Sequence, residues 1–173
     1  MNNLITKNLI RFIGLILLQL VILKEVDISW SNFDYIHLIV YPLTILLLPI
    51  KTPKLVVLCL AFLLGLIVDI FYDSIGVHAS ATLMMAFCRN IILKYLEPQG
   101  GYSLDQIPTL KNMGISWFFI YTGTLLFIHL LFYFSMEAFS VVFFFQILMN
   151  TIFSLIFSIV LIFLIQLIFN SKT

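Results

Sequence analysis

The sequence predicts an all-α integral membrane protein of six transmembrane helices, with no soluble domain of any size. Three observations predict it. Hydrophobic residues fill 62% of the 173 positions and charged residues only 10%, against roughly 25% charged in a soluble domain. The apolar residues gather into six stretches near the length a helix needs to cross roughly 30 Å of hydrocarbon. The basic residues collect on one side when those stretches are threaded back and forth. A small soluble domain buries only about two-thirds of the surface of its unfolded chain, so lipid is the solvent that accepts the remainder. Helices follow because each satisfies its own backbone hydrogen bonds in oil, whereas a barrel would show short alternating segments.

The whole chain reads as one transmembrane domain, with spans at about 8–23, 35–50, 54–72, 76–95, 115–136 and 140–169. In the first, Lys7 and Arg11 precede the apolar run 12–23, a pattern shared with signal peptides. The residues that follow, Lys24-Glu25-Val26-Asp27, hold no small-x-small cleavage site, so the run is expected to stay as a span. The second and third spans are divided at Pro49-Ile50-Lys51-Thr52-Pro53, where prolines and lysines mark a tight turn. Tyr72-Asp73-Ser74-Ile75-Gly76 turns the third span into the fourth, which makes those helices antiparallel neighbours. The sixth carries no charge and exceeds a straight crossing, so it tilts or projects beyond the lipid.

The positive-inside rule orients the chain with both termini in the cytoplasm. Lys7, Arg11, Lys51, Lys54, Arg89, Lys94, Lys111 and Lys172 then lie inside, eight against the single Lys24 outside. An odd number of spans would spoil that sorting. The longest polar stretch, 96–114, falls on the cytoplasmic side with a short surface helix expected near 104–113. It serves either as a linker between hairpins or as a docking surface. A net charge of +1 gives no electrostatic case for nucleic acid. Cys59 and Cys88 lie within apolar runs without a disulfide or metal-binding spacing.

Charged groups in lipid are costly, and they define the candidate site. Asp69 lies fifteen residues beyond Lys54, about 22 Å along the helix, near the outer interface. Asp73 is one turn further on and shares its face if the helix continues. His78 follows across the turn. These three are weak as a metal set, since their spacing matches no known site. They are conceivable as a proton relay. The plainest role for Asp69 is to accept hydrogen bonds from the turn and from the N-terminus of the fourth helix, whose dipole favours negative charge. Arg89, two-thirds of the way to the cytoplasm, is expected to snorkel toward the headgroups, with a buried ion pair as the alternative. Glu137 is expected to cap a short outer turn, and His129 to hydrogen-bond to a neighbouring helix. Gln19, Gln146, Asn150 and Gln166 are expected to join helices by hydrogen bonds. No Gly-x-Ser-x-Gly elbow, His-Glu-x-x-His pair or phosphate-binding glycine loop is present. The expectation is a protein that is not an enzyme and holds no cofactor or metal.

The stretch from Gly65-Leu66-Ile67-Val68-Asp69-Ile70-Phe71 through Gly76-Val77-His78-Ala79 to Ala81 resembles the signature of the rod shape-determining MreD family, in its Bacteroidetes-type form. That family shows a Gly-Leu-x-x-Asp-x-Phe hairpin followed by a Gly-x-His-Ala element. Many members carry Pro-Leu-Gly where this chain has Ser74-Ile75-Gly76. Outside this stretch the agreement is one of length and hydropathy. The resemblance implies a non-enzymatic subunit of the bacterial cell-elongation machinery, in the inner membrane, bound to an MreC-like protein. It implies work beside an MreB-like filament, a SEDS-type glycan polymerase and a class B penicillin-binding transpeptidase. It also implies a fold similar to the substrate-binding subunits of energy-coupling-factor transporters. Gly65, Asp69, Asp73, Gly76, His78 and Arg89 are the expected structural or partner-contact residues. The alternative function is a vitamin-binding transporter subunit of the same fold. Against it, the first span is bulky around Gly14, where such subunits carry small residues for docking. A channel or proton carrier, resting on Asp69, Asp73 and His78, is a third class.

Overall fold

The computed structural model describes residues 12–24, 36–103 and 106–169, apart from the side chain of Val141. The expected cytoplasmic residues Lys7, Arg11 and Lys172, and the first turn of the first span, lie outside them. The described chain is helical and contains no strand. Its elements are α1 (Phe12–Leu23), α2 (Leu43–Leu46), α3 (Lys54–Tyr72), α4 (Val77–Tyr95), α5 (Leu110–Met113), α6 (Ile115–Ala138) and α7 (Phe144–Phe169). Three of them, α3, α6 and α7, are long and apolar enough to cross a membrane.

Helix α4 matches α3 in length, at 19 residues, but is the more polar. It packs against both α3 and α6, while α6 in turn packs against α7. Three of its polar side chains turn inward: His78, Thr82 and Arg89 are buried, whereas Met84, Phe87, Ile91 and Tyr95 are exposed along the opposite face. Neighbouring helices therefore hide the groups that lipid would reject.

The stretch 35–50, expected as a spanning helix, is helical only over Leu43–Leu46. Residues 36–40 form no regular element, yet Ile39, Val40 and Tyr41 are buried. Irregular backbone at such depth needs partners from the protein, and side chains supply them. The His37 amide donates to Ser154 Oγ at 2.9 Å and the Ile39 amide to Ser158 Oγ at 3.0 Å. The Val40 amide donates to Gln19 Oε1 at 2.8 Å, while Gln19 Nε2 donates to the Leu38 carbonyl at 3.0 Å. The spacing explains the match. Ser154 and Ser158 stand one turn apart on α7, about 6 Å along its axis, so alternate amides of the segment meet successive serines on one face.

Helix α1 also departs from regular winding. Leu18–Leu23 is π-helical, which places the Lys24 amide on the Gln19 carbonyl at 3.0 Å. Such wide turns often mark a residue with a special task, and buried Gln19 is that residue here.

The expected surface helix at 104–113 is one turn, Leu110–Met113, capped by Thr109 Oγ1 accepting from the Asn112 amide at 3.3 Å. The loop before it is tied down by Trp117 Nε1 donating to the Leu96 carbonyl at 2.9 Å and by the Tyr102 hydroxyl donating to the Leu93 carbonyl at 2.8 Å. Partial burial pushes the Tyr102 hydroxyl above its ordinary pKa.

Candidate functional site

The site is built on the α3–α4 hairpin. Helix α3 ends because Asp73 adopts a left-handed conformation, φ 52°, with its amide on the Asp69 carbonyl. Three residues later Gly76, φ 86°, starts α4. The Asp69 side chain, only 3% exposed, occupies the gap between the two helices.

Its two oxygens divide the work. Oδ1 accepts from the His78 amide at 2.8 Å and from Ser74 Oγ at 3.2 Å, and lies 3.1 Å from His78 Nδ1. Oδ2 accepts from the Gly76 amide at 3.0 Å and the Ala79 amide at 3.1 Å. The first amides of a helix lack intrahelical partners, and a carboxylate on them benefits from both hydrogen bonding and the helix dipole. Asp69 thus caps α4 from the neighbouring helix, as no residue of α4's own N-terminus does. Ser74 Oγ also lies 2.8 Å from His78 Nδ1, which closes a compact Asp69–Ser74–His78 triangle.

Gly65 allows the approach. A Cβ at this position would lie 2.7 Å from the Ala79 amide nitrogen and 2.8 Å from the His78 carbonyl oxygen. A side chain there would push α4 away from α3 and pull its first amides off Asp69.

Asp73 does not join this cluster. It was expected to share a face with Asp69 if the helix continued; instead α3 stops at Tyr72 and the Asp73 side chain is exposed. Among the described residues no three of His, Cys, Asp and Glu converge to hold a metal ion.

Arg89 does not snorkel, and among the described residues it has no ion-pair partner. It is fully buried. Its Nη2 donates to the Leu48 carbonyl at 2.6 Å and the Pro49 carbonyl at 3.3 Å, and its Nε donates to the Tyr121 hydroxyl at 3.0 Å. That hydroxyl donates onward to the Leu46 carbonyl at 3.0 Å. The guanidinium therefore satisfies the Leu48 carbonyl and shares the Pro49 carbonyl with Thr52, just past the end of α2, where a cation is favoured.

A buried polar layer surrounds the hairpin. Gln19 Nε2 donates to the Tyr72 hydroxyl at 2.9 Å. His129 pairs at 3.0 Å with the Tyr41 hydroxyl and also meets the Ala81 backbone of the neighbouring α4. The His78 ring packs on Tyr72 and Tyr133, with centroids 5.0 and 4.9 Å away. Beside the hairpin lies a cavity of about 560 Å³, lined by Gln19, Lys24, His37, Tyr72, Tyr133 and Glu137 among others. Glu137 also lines a smaller cavity of about 300 Å³ between α6 and α7, together with Gln146 and Asn150. The remaining expected linker, Gln166, accepts from the Leu110 amide at 3.5 Å. Ser154, Ser158 and Tyr41 were not singled out in the sequence. Their only signal was small or hydroxylated side chains within otherwise apolar runs.

Set against family models, curated proteins and solved structures, the chain matches none.

Proposed function

We propose that this chain is a non-enzymatic scaffold of the bacterial cell-elongation machinery, of the kind the MreD resemblance implies. On this reading it sits in the inner membrane with six crossings and cytoplasmic termini. It binds the transmembrane helix of an MreC-like protein and supports wall synthesis by the associated polymerase and transpeptidase.

One observation carries the reading: the residues of the resemblance depend on each other physically. Gly65 admits the α4 backbone, Asp69 caps it, Gly76 supplies the turn, and His78 and Ala79 donate to the cap. A hairpin held this tightly presents a fixed helix face, which is what recognition by shape-matched packing requires. The same bonds weigh against catalysis. Both Asp69 oxygens are occupied, and a general acid or base needs free access to its substrate.

Co-expression with the MreC-like protein of the same genome tests the proposal. The two are expected to purify together in mild detergent, and deletion of this chain is expected to round the cells. Separate elution with unchanged cell shape would overturn it, and a vitamin retained through purification would favour the transporter alternative.

A further inference from the structure

Among the described residues, the 560 Å³ cavity beside the hairpin is bordered by one lysine and one carboxylate, Lys24 and Glu137. They are not paired with each other; among the described residues the sole ion pair is His78–Asp69. Each is nevertheless held in place. Lys24 Nζ donates to the Phe71 carbonyl at 2.7 Å and sits 5.7 Å from the centre of the Tyr72 ring. Glu137 accepts from the Tyr133 hydroxyl at 3.4 Å. Both keep unused capacity, since an ammonium has three donors and a carboxylate about four acceptor sites. Tyr72 and Tyr133 add aromatic surface of the kind that attracts an organic ammonium. Leu23, Ile36 and Leu38 supply an apolar wall.

Two fixed and separate opposite charges on one cavity select a ligand that carries both. We infer that this cavity binds the headgroup of a zwitterionic phospholipid, its ammonium against Glu137 and the tyrosine rings, its phosphate against Lys24. The position suits a headgroup. Lys24, Tyr72 and Tyr133 lie at one end of the bundle, and tyrosine and lysine are the residues that favour the membrane–water boundary. The apolar wall faces the glycerol and upper acyl carbons. This inference needs only that the chain spans a bilayer, so it stands or falls separately from the elongation reading.

The test uses the full chain, delipidated in detergent, and native mass spectrometry with phosphatidylethanolamine or phosphatidylglycerol of matched acyl chains. Phosphatidylethanolamine is expected to be retained preferentially. Glu137→Gln and Lys24→Ala are each expected to weaken that retention about tenfold, the loss of one charge-assisted contact. Tyr133→Phe, which removes only the donor to Glu137, is expected to weaken it several-fold and serves if a charge variant fails to fold. Equal retention of the two lipids, or a preference unchanged in the variants, would overturn the inference. So would saturation by free phosphoethanolamine or an amino acid with no lipid retained, since the ligand would then be a soluble zwitterion.

Discussion

Asp69 gathers donors from a turn and from a second helix on one carboxylate, so its removal leaves several buried amides without partners. An N-cap alone is worth about 1–2 kcal/mol, and a stranded buried donor costs about 1–3 kcal/mol more. Asp69→Ala is therefore expected to destabilise the fold by about 3 kcal/mol and to lower folded yield in detergent. Asp69→Asn keeps one acceptor and should fall between. If the alanine variant accumulates and melts like the parent, the capping role is wrong. Gly65 and Gly14 form a sharper pair. A Cβ at Gly65 meets the Ala79 backbone, whereas one at Gly14 meets nothing within 4 Å. Gly65→Ala should cost about 1–3 kcal/mol by overpacking, and Gly14→Ala should be neutral or slightly stabilising because alanine is the better helix former. Comparable melts for both variants would show that the helix contact is softer than its geometry. The acceptor role of Asp69 is legible in sequence, because a carboxylate at the end of an apolar run and just ahead of a glycine turn has few other uses. The exclusion of Asp73 is not, because it depends on Asp73 itself turning left-handed and leaving the helix at its last residue.

At the scale of elements, the irregular segment 36–40 is the least predictable part of the chain. Hydropathy identifies 35–50 as buried but cannot state its conformation, since an extended run and a helix of the same residues are equally apolar. What fixes the irregular form is remote: Gln19 lies in α1 and Ser158 in α7. Proline at 42 hints at a break, yet it sits at the start of α2, where helices accept it. The segment should therefore depend on its side-chain partners. Ser158→Ala strands the Ile39 amide and is expected to cost about 1–3 kcal/mol. Gln19→Leu, which removes partners from Leu38, Val40 and Tyr72 together, should cost more and expose the segment to hydrogen exchange. Thermal melts and exchange at residues 37–41 check both. Exchange no faster in Gln19→Leu than in the parent would show that packing alone holds the irregular form.

Across the whole molecule, composition reveals the solvent before it reveals the architecture. Apolar content makes lipid the surroundings, and α3, α6 and α7 keep that signature in full. Helix α4 loses it because its polar face is buried by α3 and α6, a packing fact that no single-helix hydropathy can contain. Arg89 shows the same limit: counted as a cytoplasmic charge, it is an interior residue whose carbonyl partners come from a distant turn. The sidedness drawn from the basic residues can be tested without relying on Arg89. Helix α3 is 19 residues long, about 28 Å, so the turns at its two ends should face opposite compartments. Lys51 and Ile75 are both exposed and flank it. Cys59 and Cys88 are free thiols and are first replaced by alanine. In spheroplasts, Ile75→Cys is then expected to react with a membrane-impermeant maleimide at once, and Lys51→Cys only after the membrane is permeabilised. Equal labelling of both from outside would mean that α3 does not cross the bilayer, and the inner-leaflet placement of the lysines would fail with it.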